Sequence, residues 1–444
     1  MRPIYRWPTF ALALTVLSCL PVHAETLREA IEQAVRTNPE IIGLSDRRFA
    51  ADAGVKQALA GYFPRLDVTV GSGRDRINSV DTRALGLVDT TLSRHESSLT
   101  LSQMLFDGFA TRSGVAQQRS RVDSSAYNVA AAAENLGLRT VGGYLEVLRR
   151  QETVEAAAEN LQAHQRIHDQ IKKLSESGVG RRADFAQAES RLALAKANLT
   201  QEQSNLTDAR TSYTRLVGTA PGALVIPESL ENVLPSPDAL ASENALSNHP
   251  ALQAAKADVA AAVAVNAGAK AALWPRIDLE LSSNRNEEIV HGVTHDRMLM
   301  LRLRYNFLRG GSDVARISET SLQAQEARET LSRTQREVSE TLALSNNAYI
   351  TARSRLDLLR QYVAASATTR ESYAKQFSIG QRTLLDLLNA ENEYFSARTS
   401  AITGRYALLA STFRIFAGMG QLLNILQIVL PADVVRLSEG RRTD

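Results

Sequence analysis

The sequence is poor in cysteine, in excess charge and in long apolar runs. Only one of its 444 residues is cysteine, so disulfides cannot stabilise the fold. The 51 Lys and Arg nearly balance the 48 Asp and Glu, which leaves a formal net charge of +3. Because no basic run accompanies this balance, the sequence gives no support for a nucleic-acid partner. Beyond the N-terminus no segment reaches about 18 uninterrupted apolar residues, so no transmembrane helix is predicted.

The first 24 residues are typical of a secretory signal peptide. They contain two arginines, an apolar run and a small-residue cleavage site that ends at Ala24. We therefore expect the mature chain to begin at Glu25, with a formal charge of +1 because two arginines are lost from +3. The cysteine, Cys19, lies inside this signal. The run Val16 to Cys19 faintly resembles a lipoprotein processing site, so lipidation at Cys19 stays open as an alternative.

Proline is absent from two long windows, 65–220 and 276–430. It is concentrated between them, from Pro221 to Pro250. This distribution predicts two similar halves joined by a linker. We divide the mature chain into a first repeat at 25–220, a linker at 221–240, a second repeat at 241–420 and a C-terminal tail at 421–444.

Each half contains the same junction of a helix with a strand. Tyr62 to Val70 is repeated as Leu273 to Leu281, and the two prolines, Pro64 and Pro275, stand 211 positions apart (275 minus 64). In both copies an alanine-rich helical pattern ends at an aromatic residue followed by proline. Proline disfavours helical backbone for the residue before it, and a period-two strand pattern follows at once.

A second strand pattern follows each junction, at Ser97 to Phe106 and at Met298 to Phe307. In the second copy Leu299, Leu301 and Leu303 share one face, whereas arginines occupy the other. The shorter spacing from proline to phenylalanine in the second copy predicts a shorter hairpin loop. If these strands cross a membrane, a set of charged side chains would face a wet lumen: Asp67, Asp278, Glu280, Arg302 and Arg304.

Long helical patterns follow the second strands. Two windows of about 70 residues, Gly108 to Val179 and Gly311 to Ile379, each predict a helix of roughly 100 Å. A glycine turn ends each window, and shorter helices complete each repeat. We predict these shorter helices at Leu27 to Gly61, Asp184 to Val217, Ala241 to Leu273 and Leu384 to Ala417.

Four alternating strands cannot close a sheet alone, and open sheet edges are not tolerated in hydrocarbon. Several chains must therefore share one barrel. Two chains would give about eight strands with a filled interior, whereas three would give about twelve and leave room for a pore. The sequence thus predicts an α+β membrane protein, with a β-barrel on a tall helical stalk. The alternative is a soluble secreted coiled-coil protein, which would leave a long apolar strand face exposed.

Several short motifs occur once in each half, in the same order and at similar spacing: Asn38-Pro39 and His249-Pro250, Phe63-Pro64 and Trp274-Pro275, Phe106-Asp107-Gly108 and Phe307 to Gly311, and the runs Asp184 to Glu189 and Asp386 to Glu391 that follow the glycine turns. In these motifs the chain resembles the TolC family of outer-membrane channel proteins, and the resemblance covers nearly all of the mature chain. It implies an internally duplicated homotrimer with a twelve-strand transmembrane β-barrel, a long α-helical periplasmic barrel, an equatorial collar from the linker and the C-terminal tail, and an outer-membrane location. It also implies a periplasmic adaptor and an inner-membrane pump as partners, and no cofactor.

The resemblance also implies a gate at the periplasmic end of the helices. Three copies of Asp386 would form a carboxylate ring that selects cations, and contacts among Asp184, Arg382 and Phe377 would latch the closed state. Asn389 stands where the family often has a second aspartate, so a second carboxylate ring is not predicted for this chain. Ordinary helix-end chemistry is the alternative for Asp184 and Arg382. We expect adaptor contacts at the two turns: Val179, Gly180, Arg181, Ile379, Gly380 and Gln381.

The predicted function is an export duct. The runs Arg182 to Leu192 and Ser98 to Gln103 resemble the type I protein secretion branch, whose pump is an ABC transporter, more than the drug-efflux branch. Drug efflux with a proton-driven pump is the alternative within the same fold. A non-channel structural coiled-coil protein is the alternative of another class. We find no nucleophile motif or phosphate-binding loop, and His164 and His168 have no third ligand for zinc, so neither an enzyme nor a metal site is predicted.

Overall fold

The computed structural model describes residues 24–89, 91–178, 180–236, 246–288 and 292–438. The strands are β1 Ala24–Glu25, β2 Arg65–Arg76, β3 Thr91–Phe106, β4 Ala223–Leu224, β5 Arg276–Glu288 and β6 Gly292–Arg304. The helices are α1 Leu27–Thr37, α2 Pro39–Leu59, α3 Val80–Ala84, α4 Ala110–Glu176, α5 Arg182–Val217, α6 Pro250–Lys270, α7 Ser312–Ser378, α8 Leu384–Gly418, α9 Leu422–Ile425 and α10 Ala432–Val435.

Four strands form one antiparallel sheet in the order β2-β3-β5-β6. The register places Leu101 of β3 opposite both Leu66 of β2 and Leu281 of β5, and Leu281 opposite Leu299 of β6. One face of the sheet is therefore apolar across all four strands, as the alternation predicts. This face is open in the protomer, where Leu299 is 70% exposed.

The opposite face of the sheet carries ion pairs. Asp278 is 3% exposed and accepts hydrogen bonds from Arg276 at 2.9 Å and from Arg304 at 2.9 Å. Arg302 donates to Glu280 at 2.8 Å across the β5–β6 pair. At the level of these pairs the charged side chains thus lie on the face opposite the leucines and pair with each other, which suits a wet interior.

The helices form a wall below the sheet. Helices α4 and α7 have 67 residues each, about 100 Å at 1.5 Å per residue. Helices α2 and α5 both pack along α4. Helices α6 and α8 both pack along α7, and each of them also contacts α4. Around the wall, the half farther from the sheet therefore follows the order α7, α8, α4, α5. In the described part of the chain, no helix has the length and apolar character needed to span a bilayer.

Two of the predicted short helices are shorter than expected. The prediction of a single helix from Leu27 to Gly61 is wrong, because Asn38-Pro39 divides this segment into α1 and α2. The Asn38 side chain caps α2 by accepting a hydrogen bond from Glu40 N at 2.9 Å. The helix expected from Ala241 begins instead at Pro250; residues 241–245 lie outside the described part. The cause is the same in both repeats: a polar cap followed by proline starts a new helix.

The strand expected to reach Phe307 ends at Arg304. Its partner β5 begins at Arg276, directly after Pro275, and proline has no N–H to extend the ladder. Tyr305 and Phe307 instead pack on each other with ring centroids 4.6 Å apart. The shorter second hairpin is confirmed, because the first hairpin loop contains α3 whereas the second spans only residues 289–291, which lie outside the described part.

The largest apolar core lies at mid-height of the wall, where the chain ends meet the helices. The Tyr144 hydroxyl lies 2.7 Å from both the Glu25 and the Val225 carbonyl oxygens, and β1 pairs with β4 beside it. Glu134 of α4 accepts from the backbone N–H groups of Leu422 at 2.9 Å and Leu423 at 3.2 Å. Both ends of the described chain are therefore fastened to α4.

Candidate functional site at the helical tip

The end of the wall away from the sheet consists of two turns. After α4, Gly178 adopts a positive φ of 79°, and Gly180 N donates to Leu174 O at 2.8 Å. After α7, Gly380 has the same φ of 79°, and Gln381 N donates to Gln376 O at 2.9 Å. Both turns need a residue in left-handed backbone, which glycine adopts without strain. In both repeats this glycine stands two residues after the long helix ends and four residues before the next helix begins.

A small apolar cluster packs directly behind the turns and fixes them to each other. It joins the far end of α4 to the first turns of α5 and α8. Phe377, one of the predicted gate residues, is half-buried against it, and so is Phe185. Its buried members are Ile167, Ile171, Ala188, Leu384, Leu387 and Leu388.

Asp386 is a helix cap as well as a charged group at the tip. The Thr383 hydroxyl donates to Asp386 Oδ2 at 2.9 Å, and Asp386 N donates to Thr383 Oγ1 at 3.3 Å. This reciprocal capping box starts α8, and a carboxylate in the first turn also interacts favourably with the helix dipole. The Asp386 side chain is still 36% exposed, so its charge reaches solvent.

Arg382 ties the end of α7 to the start of α8. Its Nε donates to Gln376 Oε1 at 3.0 Å, and its guanidinium lies 4.4 Å from the centroid of the Tyr373 ring. Its Nη1 lies 3.8 Å from Asp386 Oδ2. These contacts hold the second turn rigid and leave the guanidinium beside the carboxylate. Tyr373 and Gln376 were not predicted, although Tyr373 and Phe377 share one face of α7 at a spacing of four.

The remaining predicted gate residues do not meet Arg382 within one chain. Asn389 is exposed one turn beyond Asp386 on α8. Asp184 lies in the first turn of α5, and its side chain makes no hydrogen bond or ion pair with any residue that the structure describes. The latch among Asp184, Arg382 and Phe377 therefore stays a prediction, which contacts between chains would have to supply.

The predicted adaptor residues lie at the surface of the two turns. Ile379 is 67% exposed, and Arg181 and Gln381 are exposed on either turn. Gly180 is constrained by packing, since a Cβ there would lie 2.8 Å from Ser175 N. Val179 lies outside the described residues. The adaptor contact itself stays a prediction.

Behind the tip, α8 is held to α4 by ionic contacts that the sequence reasoning missed. Arg398 of α8 donates to Glu159 of α4 at 3.0 Å, and this hydrogen bond lowers the pKa of Glu159. Arg405 pairs in the same way with Glu152, seven residues along each helix. The seven-residue spacing of opposite charges on two helical segments is the signal that could have identified this ladder.

Nearest the tip this ladder changes. Burial raises the pKa of Glu391, and the positive charges of Arg370 and Arg166 oppose that rise. Arg370 of α7 lies 3.9 Å from Glu391 and stacks on the Tyr394 ring at 4.1 Å. Glu391 thus pairs α8 with α7, and Arg166 of α4 adds a favourable charge, so moving α8 away from α7 would unpair it.

The histidine pair of α4 is part of the packing. His164 is 5% exposed, and burial lowers its pKa. His168 stacks near the Phe185 ring at a centroid distance of 5.5 Å, and its Nδ1 lies 3.1 Å from Asp169. Both residues therefore contribute to the contact of α4 with its neighbours near the tip.

The tip thus consists of two turns, the first-turn carboxylates Asp184 and Asp386, an arginine held by its neighbours and a small apolar cluster. The family model described as outer membrane efflux protein matches residues 30–219 and 241–421, which is more than half of the chain. The two matched segments are the two halves that carry the repeated helix and strand pattern.

Individual proteins match over nearly the whole length. The chain is 26% identical over 418 residues to the outer membrane efflux protein BepC of Brucella suis, covering 93% of this chain and 89% of that protein. It is 24% identical to the proteases secretion protein PrtF of Dickeya chrysanthemi, covering 90% and 89%. The crystal structure of the CmeC outer membrane channel of Campylobacter jejuni matches with a TM-score of 0.79 at 15% identity, covering 89% and 86%. These likenesses confirm the predicted fold class.

Proposed function

Because the chain belongs to the outer membrane efflux protein family, we propose that three copies form one export channel. The channel is in the outer membrane, with its helical part in the periplasm. The observation that carries the proposal is the open sheet: β2 and β6 are its edge strands, and one face exposes apolar side chains on all four strands. Antiparallel pairing of β6 with β2 of a neighbouring chain removes both edges, and three chains give about twelve strands.

The helical wall supports the same assembly. Helix α7 lies at one side of the wall and exposes apolar side chains along its length, with Leu322 at 68% and Leu358 at 65%. Ile42 of α2 and Leu194 of α5, at the other side, are 47% and 46% exposed. Exposed apolar stripes at the two sides of a wall are what a neighbouring chain would cover.

The cargo we propose is protein, delivered by a type I secretion system with a periplasmic adaptor and an ABC transporter. The likeness to a protein named for protease secretion supports this choice. Multidrug efflux with a proton-driven pump is the second candidate, which the likeness to the efflux protein BepC favours. No enzymatic activity is proposed.

The periplasmic tip is the proposed gate. Three Asp386 carboxylates around one axis would attract cations, and Asn389 one turn later would add dipoles without charge. Opening would move α8 and α5 away from α7 and α4. The contacts of Arg382 and the ladder through Glu391 and Arg398 oppose this motion. The exposed turns at Arg181 and Ile379 are the proposed adaptor contacts.

The assembly is tested by expressing the full chain and isolating it from outer membranes. We expect detergent to be required and native mass spectrometry to give three copies of the chain. Cross-linking should then recover an adaptor together with an ABC transporter. Recovery of a monomer without detergent would overturn the channel, and recovery with a proton-driven pump would select the efflux alternative.

The gate is tested separately, by multivalent-cation block of the current through bilayer-reconstituted channels. Asp386→Asn should weaken the block strongly, whereas Asn389→Ala should change it little. Thr383→Ala is the matched control, because it removes the helix cap but keeps the charge. Equal sensitivity of the block to the substitutions at Asp386 and Asn389 would contradict a single carboxylate ring.

A further inference from the structure

A cavity of about 610 Å³ lies between four helices, well below the sheet. Arg150 and Thr153 of α4 line it, roughly 40 Å from the tip at 1.5 Å per residue. Glu202 of α5, Arg355 of α7 and Phe395 of α8 complete its walls. It is therefore separate from the tip and from the sheet.

The order of the helices decides which side of the wall the cavity opens on. Helices α8 and α4 stand between α7 and α5. On the convex side of a curved wall the two outer helices diverge, and on the concave side they approach each other. A cavity lined by all four helices therefore opens on the concave side, which becomes the lumen when copies of the wall close into a tube.

The cavity contains more positive than negative charge. Arg149 and Arg150 line it, and both donate to Glu146, at 2.5 and 2.8 Å. Arg150 also donates to Glu202 at 3.0 Å. Two arginines are thus balanced by two carboxylates. Burial alone would raise the pKa of Glu146, but the hydrogen bonds and charges of the two arginines together outweigh it and lower that pKa.

Arg355 is the additional cation. It is exposed and lines the cavity. It makes no ion pair or side-chain hydrogen bond with any residue in the described ranges, so its charge is not neutralised there. Its guanidinium offers five N–H donors and stays protonated at any physiological pH.

Hydroxyl groups surround this charge. Thr351 of α7 and both Ser400 and Thr403 of α8 line the cavity. Among the residues described, none of these three side chains forms a hydrogen bond, so each hydroxyl can donate to a ligand. A guanidinium with hydroxyl donors is the donor set that carboxylates bind.

We propose that this cavity is a carboxylate-binding station on the lumen wall, which holds acidic side chains of a polypeptide during export. The proposal rests on the channel function above. Three chains repeat the station around the axis at one height, so one acidic segment could engage more than one Arg355. The station is opposite in charge to the proposed aspartate ring at the tip, so a chain in transit would meet the two in series.

The test is block of single-channel current by a short poly-glutamate peptide added on the barrel side of a planar bilayer. We expect Arg355→Gln to raise the half-blocking concentration about fivefold at low salt, which is roughly the contribution of one unit charge about 4 Å away in water, and less at higher salt because of screening. Arg355→Lys should retain most of the block. The matched control is Arg353→Gln, which removes an exposed arginine about 200° around α7 from Arg355 and outside the cavity.

The outcomes are distinguishable. If the wild-type channel conducts and the peptide blocks it, a block that Arg355→Gln leaves unchanged overturns this inference alone. A block that Arg353→Gln weakens as much as Arg355→Gln does has the same consequence. Absence of any current through reconstituted wild-type protein, under conditions that relax the tip, overturns the channel function and this inference with it. Unchanged cation block in Arg355→Gln would show that the variant is folded and that its effect is local to the cavity.

Discussion

Glu134 gives a prediction whose size can be worked out from the structure. This side chain is almost fully buried on α4 and receives the backbone N–H groups of Leu422 and Leu423, which begin α9. Burial raises the pKa of Glu134 from 4.5 to about 7, and the two hydrogen bonds limit that rise. A rise of this size corresponds to about 3 kcal/mol per protomer.

The direction in which stability changes with pH follows from proton binding. The folded protein keeps the proton on Glu134 up to about pH 7, whereas the unfolded chain releases it near pH 4.5. Stability from this group is therefore greatest below pH 4.5 and is lost as the pH rises to about 7. Glu134→Gln removes the titration and leaves one side-chain oxygen to accept from α9, a fixed cost of about 1 kcal/mol.

The assay is denaturant unfolding followed by circular dichroism, at several pH values from 5 to 8. We expect the stability of Glu134→Gln relative to wild type to rise by about 2 to 3 kcal/mol over this range, whatever the constant offset. Glu340→Gln, at an exposed position on α7, is the matched control and should give a flat difference. A flat difference for Glu134→Gln would refute the reasoning about its burial.

Two further substitutions test the gate and the tail. Arg398→Gln breaks the ion pair of α8 with α4, so we expect a larger resting current in bilayers, whereas Arg360→Gln, which breaks an exposed pair on α7, should leave the current unchanged. Gly420→Ala should lower stability in denaturant melts by about 1 to 3 kcal/mol. Gly420 has a φ of +67°, and a Cβ there would lie 2.5 Å from Pro250 Cδ. Gly380→Ala, with similar φ but open space, should cost less.

The sequence was most informative where a pattern is local. Alternation along β6 predicted which face carries Leu299 and Leu301, because the side-chain period of a strand is two. The two long helices lie within three residues of their predicted ends, because glycine marks both ends of each window. The break at Asn38-Pro39 could have been predicted too, since a polar cap before proline starts a helix. The boundaries at residues 220, 240 and 420 stay predictions.

Contacts between distant parts of the chain could not be predicted in this way. Glu134 binds a backbone N–H that lies 288 positions away, and no local pattern identifies that partner. Similarly, Asp386 was predicted only as a gate residue, although it also caps α8 through Thr383. Whether the carboxylate serves the gate as well depends on where symmetry places it, and that is a property of the assembly.

The claim on which the rest depends is that the apolar face of the sheet contacts lipid while the opposite face contacts water. The mature chain that we predict, after loss of Cys19, contains no cysteine, so single cysteines can be introduced without background. Spin labels on single cysteines at each of the four consecutive positions 298, 299, 300 and 301 of the reconstituted protein measure contact with oxygen in lipid and with a water-soluble nickel complex. We predict high oxygen contact at Leu299 and Leu301 and high nickel contact at Met298 and Met300. Equal nickel contact at all four positions would contradict the account.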